Sequence, residues 1–124
     1  RRRIGRGQRD RRGQRRVILV TGFGAFPGVP ENPTESAVRG LLGARVRGAS
    51  IVPLVLPVSY SRGLDLVIDA ARRLRPRAIV GLGVASRRDR VEVERVARRS
   101  CGPNPDVDGE IRAFVADGPD ERRS

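Results

Sequence analysis

The sequence predicts an α/β fold built on a mostly parallel sheet. Three short runs rich in Val, Ile, Leu and Ala, at 17–20, 51–58 and 78–82, stand apart from the polar remainder. Runs of this kind suit strands that are covered on both faces. Segments with helical spacing lie between them, and strand–helix–strand–helix–strand connections of this length are parallel crossovers.

Val17-Ile18-Leu19-Val20 is the first strand, and the Gly- and Pro-rich stretch 21–33 that follows is a long ordered loop. Asn32-Pro33-Thr34, with Glu35 in the first turn, carries the signals of a helix start. Ala37, Val38, Leu41 and Leu42 continue that helix at apolar spacing as far as Gly43. Pro53 and Pro57 interrupt the second run, which makes it an edge strand. Leu64, Val67, Ile68, Ala71 and Leu74 form the apolar stripe of a second helix, which Arg75-Pro76 ends. Ala78-Ile79-Val80-Gly81-Leu82 reads as a buried third strand, and Val91, Val93 and Val96 as a fourth that carries Glu92 and Glu94 on one face. Beyond Arg98 the periodicity fades, with 111–116 the only later apolar patch, so the sheet looks unfinished.

The chain has 124 residues, enough for one domain and not for two. Aromatic residues make up 3%, so aliphatic side chains must build the core. With no His and a single Cys, the chain has no disulfide framework, no zinc finger and no complete His-dependent triad of its own. No metal or other cofactor is expected. The net charge is +12, and all basic residues are Arg; residues 1–16 hold nine of them against Asp10. Residues 1–16 are therefore expected to be a disordered arginine-rich leader, followed by a domain over 17–119 and a tail at 120–124. The complete lack of Lys also fits a codon bias toward Arg. Nonspecific polyanion binding is the most the leader licenses, since no aromatics are interleaved for stacking. The run after Arg15-Arg16 breaks after four apolar residues, too short for an export signal, and no stretch approaches a membrane span. A soluble cytoplasmic protein without membrane contact is the expectation.

Four groups of residues invite chemistry. Gly22, Gly24 and Gly28 after the first strand resemble a dinucleotide fingerprint, but Pro27 occupies the tight turn and no acid follows the second strand to hold a ribose. Phe23 and Phe26 are two of three phenylalanines in the chain. They sit in a loop above a parallel strand, either pinning it to the core or clamping a flat ring. Glu94 is either one of a surface row with Glu92 or a strand-end carboxylate that orients a base or binds a cation. Cys101 has Arg98 and Arg99 nearby but no base, so it is not expected to be a nucleophile.

Five motifs in order resemble the pyroglutamyl peptidase I family, also called pyrrolidone-carboxylate peptidases. They are VILVTGFGAFPGVPENPTE at 17–35, Leu56-Pro57-Val58, the strand at 75–83, Val93-Glu94-Arg95-Val96-Ala97, and Asp117-Gly118-Pro119. The resemblance implies a three-layer, phosphorylase/hydrolase-like α/β sandwich, here C-terminally truncated. It also implies a cysteine peptidase that removes an N-terminal pyroglutamyl residue from peptides, with a Cys nucleophile, a His base and a Glu that orients the His. Carried over by position, Glu94 is that carboxylate, and Phe23 and Phe26 are walls of the lactam pocket.

The family's Cys and His lie beyond the Asp-Gly-Pro segment, whereas Cys101 precedes it and the sequence runs five residues past Pro119. Arg99 stands where the family has Asn, Glu92 where it has Ser or Thr, and Gly83-Val84-Ala85 where it has Gly-Gln-Ala. The family's Ala-Arg-Ile-Pro segment has no counterpart in 100–106. The expectation is a chain that does not hydrolyse pyroglutamyl peptides as given. A noncatalytic small-ligand module and a nucleic-acid binder acting through the leader are the alternatives.

Overall fold

The computed structural model describes residues 15–98, 101–112 and 121–123, in two compact units, Arg1–Val84 and Ala85–Ser124. In the first unit, β1 (Arg15–Phe23) lies between two parallel neighbours, β3 (Ala49–Leu56) and β4 (Pro76–Gly81). A two-residue strand, β2 (Arg45–Val46), runs antiparallel against the start of β3, giving the order β2-β3-β1-β4. Leu19 sits opposite Val52 and Ile79, and Val20 opposite Pro53 and Val80. The central strand is thus the one with the uninterrupted apolar run. Val17, Leu19 and Val20 are buried, Leu19 completely.

Helices α1 (Pro33–Arg39) and α2 (Tyr60–Leu74) cover opposite faces of this sheet. The β1–α1–β3 crossover moves one way across the sheet and β3–α2–β4 the other, so right-handed connections place the two helices on opposite sides. Side-chain parity agrees. Gly22, on the Val20 face, abuts Thr34 and Val38 of α1, while Ile79, on the Leu19 face, lines a groove with Ile68 and Ala71 of α2. The result is the expected three-layer α/β arrangement.

Several expectations are corrected in detail. Helix α1 ends at Arg39, because Leu41 and Leu42 donate to Val38 and Arg39 in tighter turns that break the helical phase, and Leu42 is 76% exposed. The Pro-interrupted strand β3 is not the outermost along its whole length. Ile51 donates outward to Ala44, so by alternation the nitrogen of Pro53 also faces outward, beyond the end of β2, where no donor is needed. In α2 the residues seated inward are Gly63, Val67, Ala70 and Leu74, while Leu64 and Ile68 of the expected stripe are 54% and 38% exposed. Small residues win that face because the backbones approach closely: a Cβ on Gly63 would stand 3.1 Å from the carbonyl oxygen of Pro57. Strand β4, expected to be buried, leaves Ile79 and Val80 nearly half exposed, because it forms the outer edge of the sheet.

In the second unit, Val91 and Val93 are exposed and lie outside any strand. Regular structure begins at β5 (Val96–Arg98), which pairs antiparallel with β6 (Glu121–Arg123), within the stretch assigned to a tail. Arg15 and Arg16 of the expected leader belong to β1, while residues 1–14 lie outside the described residues, as do 113–116 of the apolar patch and Asp117-Gly118-Pro119. Among the described residues no helix is long and apolar enough to cross a membrane.

Candidate functional site

The loop at the carboxyl end of β1 is held by a compact polar network. Phe26 and Val29 exchange two backbone hydrogen bonds, N–H to O at 3.1 and 2.8 Å, across a tight turn. Pro27 supplies the first central position of that turn. Gly28, at φ +87°, supplies the second, where a side chain would be strained. Gly24 N–H donates to the Leu56 carbonyl at 2.9 Å, tying the loop to the end of β3.

Asn32 and Thr34 fasten the same loop to α1. The Asn32 side-chain carbonyl accepts from Thr34 N–H at 3.0 Å, which caps the helix, and from the Thr34 hydroxyl at 2.7 Å. The Asn32 amide donates to the Gly24 carbonyl at 3.0 Å, and Thr34 Oγ1 accepts from Phe23 N–H at 2.9 Å. Both side chains are buried, so these bonds replace water that cannot reach them. Sequence reading takes Asn-Pro-Thr only as a helix start. Its second task, reaching back eight and eleven residues to Gly24 and Phe23, leaves no periodic signal.

Phe23 closes β1 and Phe26 opens the turn, and both rings are half-buried. One short, tethered loop at the carboxyl end of the central parallel strand therefore presents them, where α/β sheets place ligand sites.

Glu94 lies in the second unit, in a stretch without regular secondary structure. Its Oε1 accepts from Arg88 Nη1 at 2.6 Å, and the same nitrogen is 3.2 Å from Glu92 Oε2, while Arg90 Nε holds Glu92 Oε1 at 3.1 Å. The hydrogen bond and charge of Glu94, and then the charge of Glu92, raise the Arg88 pKa further above its ordinary value. The two glutamates do share a side, not through strand parity but by converging on one guanidinium. Arg88 was missed by sequence reasoning, which paired the glutamates with Arg95. The Glu94 side chain is 70% exposed, so the pair orients the carboxylate and adds little stability. Cys101 is half-buried in the same unit. Among the described residues, no group of three or more His, Cys, Asp or Glu could hold a metal ion.

Comparison with known proteins gives a consistent result. The family model described as pyroglutamyl peptidase matches residues 16–112. The pyrrolidone-carboxylate peptidase of Oceanobacillus iheyensis is 38% identical over 109 residues, covering 83% of this chain and 53% of the relative. That of Cupriavidus taiwanensis is 37% identical over 111 residues, covering 83% and 50%. Among solved structures, pyroglutamyl peptidase I of Bacillus amyloliquefaciens superposes with a TM-score of 0.80 at 30% identity, over 87% of this chain and 54% of that one. A pyrrolidone carboxyl peptidase of Pyrococcus furiosus (an E192D mutant) gives the same TM-score at 28% identity. The chain spans about half the length of the relatives it matches. The matched stretch takes in both the Phe23–Phe26 loop and Glu94, and the chain belongs to the pyroglutamyl peptidase family.

Proposed function

We propose that this chain carries the substrate-holding part of a pyroglutamyl peptidase and has no hydrolytic activity by itself. In this reading the Phe23 and Phe26 rings receive the flat lactam of an N-terminal pyroglutamyl residue. Glu94 is the carboxylate that would orient an imidazole base. Amide cleavage by a thiol requires a thiolate to attack the carbonyl carbon. It also requires a base to take the thiol proton and return it to the departing amine. The sequence contains no imidazole, and Cys101 does not match the position of the family's nucleophile. What these 124 residues contain is then a pocket wall and an orienting carboxylate.

The observation that supports this reading is the tethered loop, in which two buried polar side chains, Asn32 and Thr34, fix the backbone on either side of the phenylalanines. A loop ordered in advance costs little entropy when it binds a small rigid ring. Titration of the chain with pyroglutamate in a calorimeter is expected to give binding heat. Phe26→Ala should weaken that binding by about tenfold or more, because a half-buried ring contributes area and stacking. Absence of heat with the unsubstituted chain contradicts the reading.

A further inference from the structure

The two edges of the sheet in the first unit are written differently. On one side, β3 carries Pro53 with its nitrogen facing outward, and the short β2 ends in Val46-Arg47-Gly48, with Arg47 at φ +47°. Prolines, charges and very short strands are the usual means of keeping an edge from pairing. On the other side, β4 runs Pro76-Arg77-Ala78-Ile79-Val80-Gly81 with one charge near its start. That is the composition of a strand covered on both faces, yet Ile79 is 49% and Val80 46% exposed.

The backbone of β4 is equally open. Leu82 N–H donates inward to the Thr21 carbonyl at 2.8 Å, so by strand alternation the N–H and C=O of Ile79 and Gly81 point outward. Among the described residues no strand pairs with that edge. Beside it, Ile68, Ala71, Arg72 and Arg75 of α2 and its cap form with Pro76 and Ile79 an open groove of about 680 Å³. Leu64 extends the apolar stripe by one helical turn.

We propose that the β4 edge and this groove are a docking surface for the polypeptide that corresponds to the part of the relatives this chain does not span. The relatives of the same fold are about twice as long as the matched stretch, so the fold they share has a further body of polypeptide to place. The surface specifies its occupant's chemistry. An extended segment pairs with the outward groups of Ile79 and Gly81, alternate apolar side chains cover Ile79 and Ile68, and acidic residues face Arg72 and Arg75 at the rim. That docking would complete a catalytic site rests on the functional reading above; the docking itself rests on the edge.

The test uses the full 124-residue chain coexpressed with the portion of the Oceanobacillus iheyensis peptidase that the match leaves uncovered. A one-to-one complex is expected on size-exclusion chromatography with light scattering. The amides of Ile79 and Gly81 should exchange with deuterium at least about a hundredfold more slowly in it. Ile79→Glu and Leu64→Glu, both at half-exposed sites that tolerate polarity, should each weaken association by about tenfold or more. An absence of complex overturns the proposal. So does a complex indifferent to both substitutions, or a symmetric dimer of this chain that buries β4 in preference. A protected complex that releases no pyroglutamate supports the docking surface and contradicts the functional reading instead.

Discussion

Gly22→Ala is expected to destabilise the first unit by about 3 kcal/mol, at the upper end for one added methyl in a packed interior. A Cβ at this position would stand 2.6 Å from the Thr34 carbonyl oxygen and 2.7 Å from Val38 Cγ2. Neither neighbour can yield readily. Thr34 is held by the Asn32 cap and by Phe23 N–H, and Val38 is completely buried. Relief requires α1 to lift from the sheet, and the lift would pull on the loop that presents Phe23 and Phe26. Urea unfolding followed by far-ultraviolet circular dichroism checks the stability change, and pyroglutamate affinity should fall with it. A loss below about 0.5 kcal/mol, the range of ordinary surface changes, would show that α1 is not clamped to β1.

Asn32→Ala is expected to cost about 2–3 kcal/mol, since it removes an N-cap and leaves the buried Thr34 N–H and Gly24 carbonyl without this partner. Asn32→Asp separates the two tasks. A carboxylate still caps α1 by accepting from Thr34 N–H, but it cannot donate to the Gly24 carbonyl. Stability should then fall less than in the alanine variant, while pyroglutamate binding falls about as much. Equal binding by the aspartate variant and the unsubstituted chain would mean that the Asn32–Gly24 bond does not set the loop.

What could be read in the sequence follows from how local each signal is. Val17-Ile18-Leu19-Val20 identifies the central strand because burial on both faces suppresses alternation, and Asn32-Pro33-Thr34 marks a helix start because capping is local chemistry. The α2 face was misassigned because a hydrophobic stripe names the most apolar side. The sheet instead received Gly63 and Ala70, where close approach of the Pro57 backbone favours small residues. Strand β4 was read as buried because its composition is that of an interior strand, and only the sheet order reveals that it forms an edge. Phe23 and Phe26 stood out by departing from any periodic stripe. The partners that fix their loop, and Arg88 beside Glu94, are matters of tertiary geometry that no spacing rule encodes.

The account's central claim is that the chain can hold a pyroglutamyl group but has no machinery to cleave it. Incubating the purified 124-residue chain with a fluorogenic pyroglutamyl amide tests this most directly. The expected result is release at the uncatalysed background rate, unchanged by Cys101→Ser. Release well above background that Cys101→Ser abolishes would contradict it, because Cys101 would then be a working nucleophile without an imidazole.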